Sequence, residues 1–128
     1  NTKDYIAYCF HSVEGYSKIG KFVGGGSNDS GTFIQTGFRP AFLLVKSSSN
    51  AGNEWFMFDN KINPANTIRQ YYLQAQSNAA QVHTNESNSP LDFVSNGIKF
   101  RWTQFNPSGY NMIYMAFAES PFKYSNAR

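Results

Sequence analysis

Short apolar runs alternate with polar clusters along the whole chain. The runs are rich in Phe, Tyr, Ile and Val, and clusters of Gly, Asn, Ser and Pro separate them. Aromatic and β-branched residues favour strands, whereas the separating residues favour turns. The pattern therefore predicts an all-β protein. We expect strands at residues 5–12, 16–23, 32–36, 41–46, 55–60, 91–94, 98–103 and 110–119.

The order of these strands indicates a two-sheet antiparallel β-sandwich. Asn96-Gly97 is typical of a tight hairpin and should pair 91–94 with 98–103. Runs 5–10 and 113–118 both place small residues beside large aromatics, which predicts neighbouring central strands that close the domain. The central apolar positions of five strands predict a core. These positions are Phe10, Leu44, Phe56, Phe100 and Phe117.

Two segments lack a strand signal. Residues 61–90 hold a few apolar anchors among Asn, Gln, Ala and Ser, which predicts a long loop with at most one helical turn. Residues 24–31 contain three consecutive glycines, which predicts a flexible loop. The glycines do not match a phosphate-binding motif, because no Gly-Lys-Ser/Thr ending follows them.

Composition restricts the class of protein. A chain of 128 residues fits one domain, 1–128, and Asn1 at its start leaves open that it is the end of a longer polypeptide. Its 11 basic and 8 acidic residues are scattered, which argues against a nucleic-acid partner. No apolar span reaches the length of a membrane helix, so membrane insertion is not expected. The single Cys9 cannot form an internal disulfide and is expected to be buried.

No catalytic or metal-binding pattern is recognisable. His11 and His83 are isolated from other potential ligands, and no Asp-x-Asp run suggests calcium. Spacing alone leaves open that carboxylates such as Asp59 and Asp92 meet in space, although no sequence motif pairs them. We therefore expect no enzymatic activity, no catalytic residues, no cofactor and no metal.

Exposed aromatic residues are the remaining candidates for binding, because Tyr and Trp stack on sugars or fill partner pockets. Trp55 and Trp102 lie on predicted strands and are expected in the core. Tyr71, Tyr72 and Phe105 lie in less regular segments, so they are the candidate interaction residues.

Four stretches carry a family resemblance: residues 5–20, 36–42, 93–99 and 113–123. Together they resemble a C-terminal domain of unassigned function that recurs in tail, fibre and other virion proteins of bacteriophages, mostly marine ones. The resemblance implies a concanavalin-type or laminin-G-like jelly roll at the C-terminal end of a longer protein. It brings no established catalytic residues.

The resemblance implies a non-enzymatic structural or adhesive module on the outer surface or tail of a virion. Its expected partners are other virion proteins and further copies of itself, as a homotrimer. If segment 61–90 is the contact, its apolar anchors would be buried between subunits. Tail fibre, tail appendage and capsid decoration all remain open, as does contact with host surface glycans. The alternative is a carbohydrate-binding or depolymerase-associated module acting on host polysaccharide. Paired carboxylates in a cleft, or two or three coplanar exposed aromatics, would favour that alternative.

Overall fold

Strands account for the regular structure of the chain. The computed structural model describes residues 3–63, 65–66, 71–84 and 89–121. Within these ranges one 3-10 turn, Thr103–Phe105, is the only helical element, so the all-β prediction is confirmed. The strands are β1 (Ser17–Val23), β2 (Phe33–Gln35), β3 (Pro40–Ser47), β4 (Phe56–Asp59), β5 (Tyr71–Gln74), β6 (Val82–His83), β7 (Leu91–Val94), β8 (Gly97–Phe100) and β9 (Asn111–Ala118).

Two antiparallel sheets form a β-sandwich, as predicted. One sheet has six strands in the order β1-β9-β3-β4-β5-β6, and the other has three in the order β2-β8-β7. The expected hairpin β7–β8 is present and turns at Ser95 and Asn96, and β3 and β4 also pair as antiparallel neighbours. The first strand lies beside the last, since β1 pairs with β9 from Ser17 opposite Phe117 to Val23 opposite Asn111.

The core lies between the two sheets and uses alternate residues of each strand. Phe56 and Phe100 belong to it, as predicted. Leu44 and Phe117 do not: they are half-buried and point to the opposite side of the six-stranded sheet. Both of these predictions are wrong for one reason. β3 and β9 are apolar on both faces, so alternation alone does not identify the inner face. The residues of the two strands that do belong to the hydrophobic core are Leu43, Val45, Met112, Tyr114 and Ala116.

The predicted first strand, residues 5–12, is not a strand. These residues form no ladder and are exposed, so Phe10 is not a core residue and Cys9 is not buried. Regular pairing begins only after the turn at Glu14–Tyr16, with an isolated bridge between Val13 and Ser17. The place beside β9 that the sequence suggested for 5–10 is taken by β1.

Segment 61–90 contains strands that its composition did not reveal. β5 pairs with β4, with Gln74 opposite Phe56, and β6 pairs with β5. The cross-strand pairing explains why short strands form within this largely polar segment, since β-propensity depends strongly on neighbours. Ile68 and the centre of the predicted helical turn, residues 67–70, lie outside the described residues.

The glycine-rich segment is packed at its beginning. A Cβ at Gly24 would lie 1.9 Å from the carbonyl oxygen of Pro107, so only glycine fits there. Gly26 has a φ of 65°, which side-chain-bearing residues rarely adopt. The buried Asn106 accepts a hydrogen bond from the Gly25 N–H at 2.9 Å. Close packing on the turn before β9 therefore explains these glycines.

Candidate functional site

The outer face of the six-stranded sheet is the most unusual surface of the molecule. On β9, Met112 and Tyr114 point into the core, whereas Ile113, Met115 and Phe117 point outward. The ladder register aligns outward side chains of five strands into one continuous row. This apolar row consists of Ile19, Met115, Leu44, Met57 and Leu73. No polar side chain interrupts it.

Polar side chains flank the apolar row. On one side, Ile113 lies between Lys21 and Lys46 in the ladder register. On the other side, Asp59 lies opposite Phe42, next to Phe117. An apolar centre with a polar rim is the usual composition of a protein-protein contact surface. Contiguous apolar patches of this kind on a protein surface mark interaction sites.

A second apolar surface is formed by residues 3–12, which we call the arm. Its large side chains are almost unprotected: Tyr5 is 85% exposed, Ile6 83%, Tyr8 81% and Phe10 57%. Burying such side chains is worth roughly 1.5–3 kcal/mol each, so their exposure carries a substantial free-energy cost. The rest of the domain therefore leaves the large apolar side chains of the arm exposed.

Hydrogen bonds fix the base of the arm to the edge of the sheet. The Ser12 hydroxyl donates to the Ile19 carbonyl at 3.3 Å and accepts from the Ile19 N–H at 3.0 Å. The Ser17 hydroxyl donates to the His11 carbonyl at 3.2 Å. These contacts hold the base beside β1, an edge strand, at one end of the apolar row.

An apolar groove lies between the arm and the outer face. Its volume is about 750 Å³, which is within the range of protein binding pockets. Tyr8 and Phe10 line one side. Leu44, Ile113 and Met115 line the other, and Trp55 contributes an indole whose centroid lies 5.8 Å from Lys46 Nζ. The arm thus runs above its own sheet without filling the space beneath it.

Of the three predicted interaction residues, only Tyr71 lies on the surface. It is 44% exposed on the outer face, and Asn63 holds its backbone through two hydrogen bonds of 2.7 Å. The next residue, Tyr72, points inward and is 6% exposed, and burial raises its pKa above the usual 10.0. The structure therefore separates these neighbours onto opposite faces of the sheet.

Phe105 is fully buried, with 0% exposure. The 3-10 turn after β8 carries its ring into the core, where its centroid lies 4.8 Å from that of Phe56 and 5.1 Å from that of Phe58. Trp102, half-buried, also packs edge-on against it at 5.5 Å. An irregular segment thus supplies a central core residue.

Asp59 and Asp92 do not meet in space. Asp59 lies on the outer face of the six-stranded sheet, and Asp92 lies on the other sheet, where it pairs with Arg101 at 2.7 Å. Glu119 pairs with Arg39 at 2.9 Å. Throughout the described ranges, no group of three or more His, Cys, Asp or Glu side chains is placed to hold a metal. The arrangement is suited to burying apolar surface.

Sequence reasoning missed the outer face and the arm as a site. One signal was present: the run 113–118 has no polar face, although a two-layer sandwich covers only one side of a sheet. The exposed position of the arm had no such signal, because its composition is that of a buried strand.

Comparison with known proteins identifies the family. Residues 1–121 match a domain of unknown function, DUF7483. The chain belongs to the DUF7483 family. No curated protein and no solved structure shows significant similarity to it.

The DUF7483 match covers both parts of the candidate site. It includes the arm and every strand of the six-stranded sheet. In the part of the DUF7483 domain that the structure describes, no helix has the length and apolarity needed to cross a membrane.

Proposed function

We propose that this DUF7483 domain is a non-enzymatic structural and adhesive module of a bacteriophage virion, working within a homotrimeric component on the outer surface or tail. The observation that carries the proposal is the apolar row, only half-buried within one chain, beneath an exposed apolar arm. A protein that keeps both surfaces is suited to permanent contacts in an assembly. The resemblance to phage virion domains supplies the setting, and other virion proteins are the expected neighbours.

The composition of the outer face favours protein contact over sugar binding. Sugar-binding sheets present coplanar aromatic rings to the solvent, because the rings stack on the apolar face of a pyranose. The centre of this face instead carries the aliphatic and thioether side chains of the apolar row. A carbohydrate-binding or depolymerase-associated module is therefore the weaker candidate.

Localisation on the particle tests this proposal. We expect antibodies raised against the folded domain to label virions at a defined position, and cryo-electron microscopy to place the sandwich in the tail or on the capsid. Absence of the domain from purified virions would contradict a virion role. Release of reducing ends from host polysaccharide by the purified domain would contradict the non-enzymatic assignment.

A further inference from the structure

We propose that the groove is filled by the arm of another copy of this chain. In the assembled component, residues 3–12 of one copy lie across the apolar row of the next copy. The inference rests on the proposed function and names the partner of the site described above.

One chain presents both halves of this contact, with the arm exposed and the apolar row only half-buried. Tyr8 and Phe10 line the groove, yet they remain more than half exposed, and the space between them and Leu44 stays open. The arm therefore does not bury the apolar face of its own chain. Both apolar surfaces belong to one sequence. A second copy therefore carries an arm for the face of the first copy and a face for its arm.

The edge of the sheet favours docking through side chains over strand addition. Outward-pointing backbone groups of β1 are already engaged at Ile19, by the Ser12 hydroxyl, and at Val23, whose carbonyl accepts from Thr32 Oγ1 at 3.0 Å. Occupied edge groups discourage pairing with another strand. The arm is thus directed to the outer face, where apolar side chains are available.

The reach of the arm is sufficient. Ten extended residues span up to about 33 Å, and five strands spaced by about 4.8 Å span roughly 20 Å. Starting at the edge of its own sheet, the arm can cross the apolar row of a neighbour.

The area is also sufficient for a specific contact. An aromatic side chain offers about 150–250 Å², so Tyr5, Tyr8 and Phe10, together with Ile6, present on the order of 500 Å² at their observed exposures. Counting a similar area on the face, one contact buries on the order of 1,000 Å², the lower range for specific interfaces. Each copy makes two contacts, one as donor and one as acceptor.

Symmetry determines how such contacts assemble. An arm and a face are different patches, so each contact joins unlike surfaces, and repeated contacts form either a closed ring or an open filament. Closure at three copies gives the proposed homotrimer.

Disulfide trapping between two distinguishable chains tests the contact. Both chains carry Cys9→Ser, which removes the only native cysteine. One chain adds Tyr8→Cys in the arm, and the other, fused to a size tag, adds Ile113→Cys on the face. After mixing and mild oxidation we expect a disulfide between the tagged and untagged chains. The matched control places Ser95→Cys on the exposed turn of the other sheet and should give no such product.

Two results would overturn the inference. One is the absence of a tagged–untagged disulfide above the Ser95→Cys control. The other is a monomeric disulfide in a chain carrying both Tyr8→Cys and Ile113→Cys, without cross-linking between chains, which would show that the arm closes on its own face. A trimer that fails to cross-link would retain the proposed function and exclude only the arm contact, whereas localisation on the virion tests the function separately.

Light scattering over a range of concentrations gives an independent readout. We expect wild-type particles of three times the 14.4 kDa chain mass. The double variant Tyr8→Ser, Phe10→Ser should weaken association about tenfold or more, because aromatic anchors dominate interface energies. Tyr110→Ser, an exposed tyrosine outside both surfaces, is the matched control and should leave association unchanged. Equal association of the two variants would contradict the inference.

Discussion

The inner and outer faces of the six-stranded sheet are built from the same strands and both carry apolar side chains at their centres, but only one of them has a second layer. On β3, Leu43 faces the core with no exposed surface, and Leu44 faces outward and is half-buried. On β9, likewise, Met112 faces the core and is buried, whereas Met115 faces outward and is half-buried. The comparison shows that an apolar residue becomes a core residue only where another layer covers it. The outer face has apolar residues, but within one chain no second layer covers them.

Adjacent tyrosines on β5 give the largest expected contrast between the faces. Tyr72→Ser should lower the free energy of unfolding by about 3–5 kcal/mol, as for other buried aromatics. Tyr71→Ser should change it by less than about 0.5 kcal/mol, because the ring lies on the surface. Urea unfolding followed by tryptophan fluorescence measures both. Similar losses in the two variants would show that the faces are equivalent.

Adjacent leucines on β3 allow the two faces to be compared with the same residue type. Leu43→Ala should cost about 2–5 kcal/mol of stability, whereas Leu44→Ala should cost about 1 kcal/mol when measured on the dilute, dissociated chain. A Leu44→Ala loss as large as that of Leu43→Ala would mean that the outer face is covered even in the monomer.

Alkaline pH should lower the stability of the domain through two tyrosines on the inner face. Burial raises the pKa of both Tyr72 and Tyr114 above 10.0. Because the folded state holds these phenols protonated, their contribution to stability is fully present below pH 10 and is lost as the pH rises through the raised pKa values. We expect the urea midpoint to fall above pH 10. The fall should be smaller in Tyr114→Phe, and Tyr71→Phe is the surface control. An equal fall in all three chains would contradict the assignment.

Much of the fold follows from the sequence because turn residues mark strand ends locally. The turn signal at Ser95-Asn96-Gly97 marks the β7–β8 hairpin, whose turn lies at Ser95 and Asn96, and Gly, Asn and Ser clusters separate most other strands. These signals depend on neighbouring residues only. Strand β5 was not predicted because its local sequence carries no strand signal, and it is extended through its pairing with β4.

The candidate site was not predictable in the same way. Whether Leu43 or Leu44 faces the core depends on where the second sheet lies, which no local pattern encodes. The arm has the composition of a buried strand, so sequence reasoning placed Phe10 in the core. Phe105 is the opposite case, since a 3-10 turn carries an irregular segment into the core.

The central claim is that the outer face is a contact surface for another copy of the chain. Met115 lies at its centre, between Ile19 on β1 and Leu44 on β3. Met115→Glu places a charge in the contact while the groove leaves the side chain access to water. The matched control is Met112→Glu on the inner face of the same strand, which should unfold the domain because a buried charge is unpaired.

Sedimentation equilibrium of Met115→Glu tests the claim most directly. We expect a folded monomer at concentrations where the wild-type chain is trimeric, with an unchanged far-UV circular dichroism spectrum. Undiminished association of Met115→Glu, or a wild-type chain that is monomeric at every concentration, would contradict the claim.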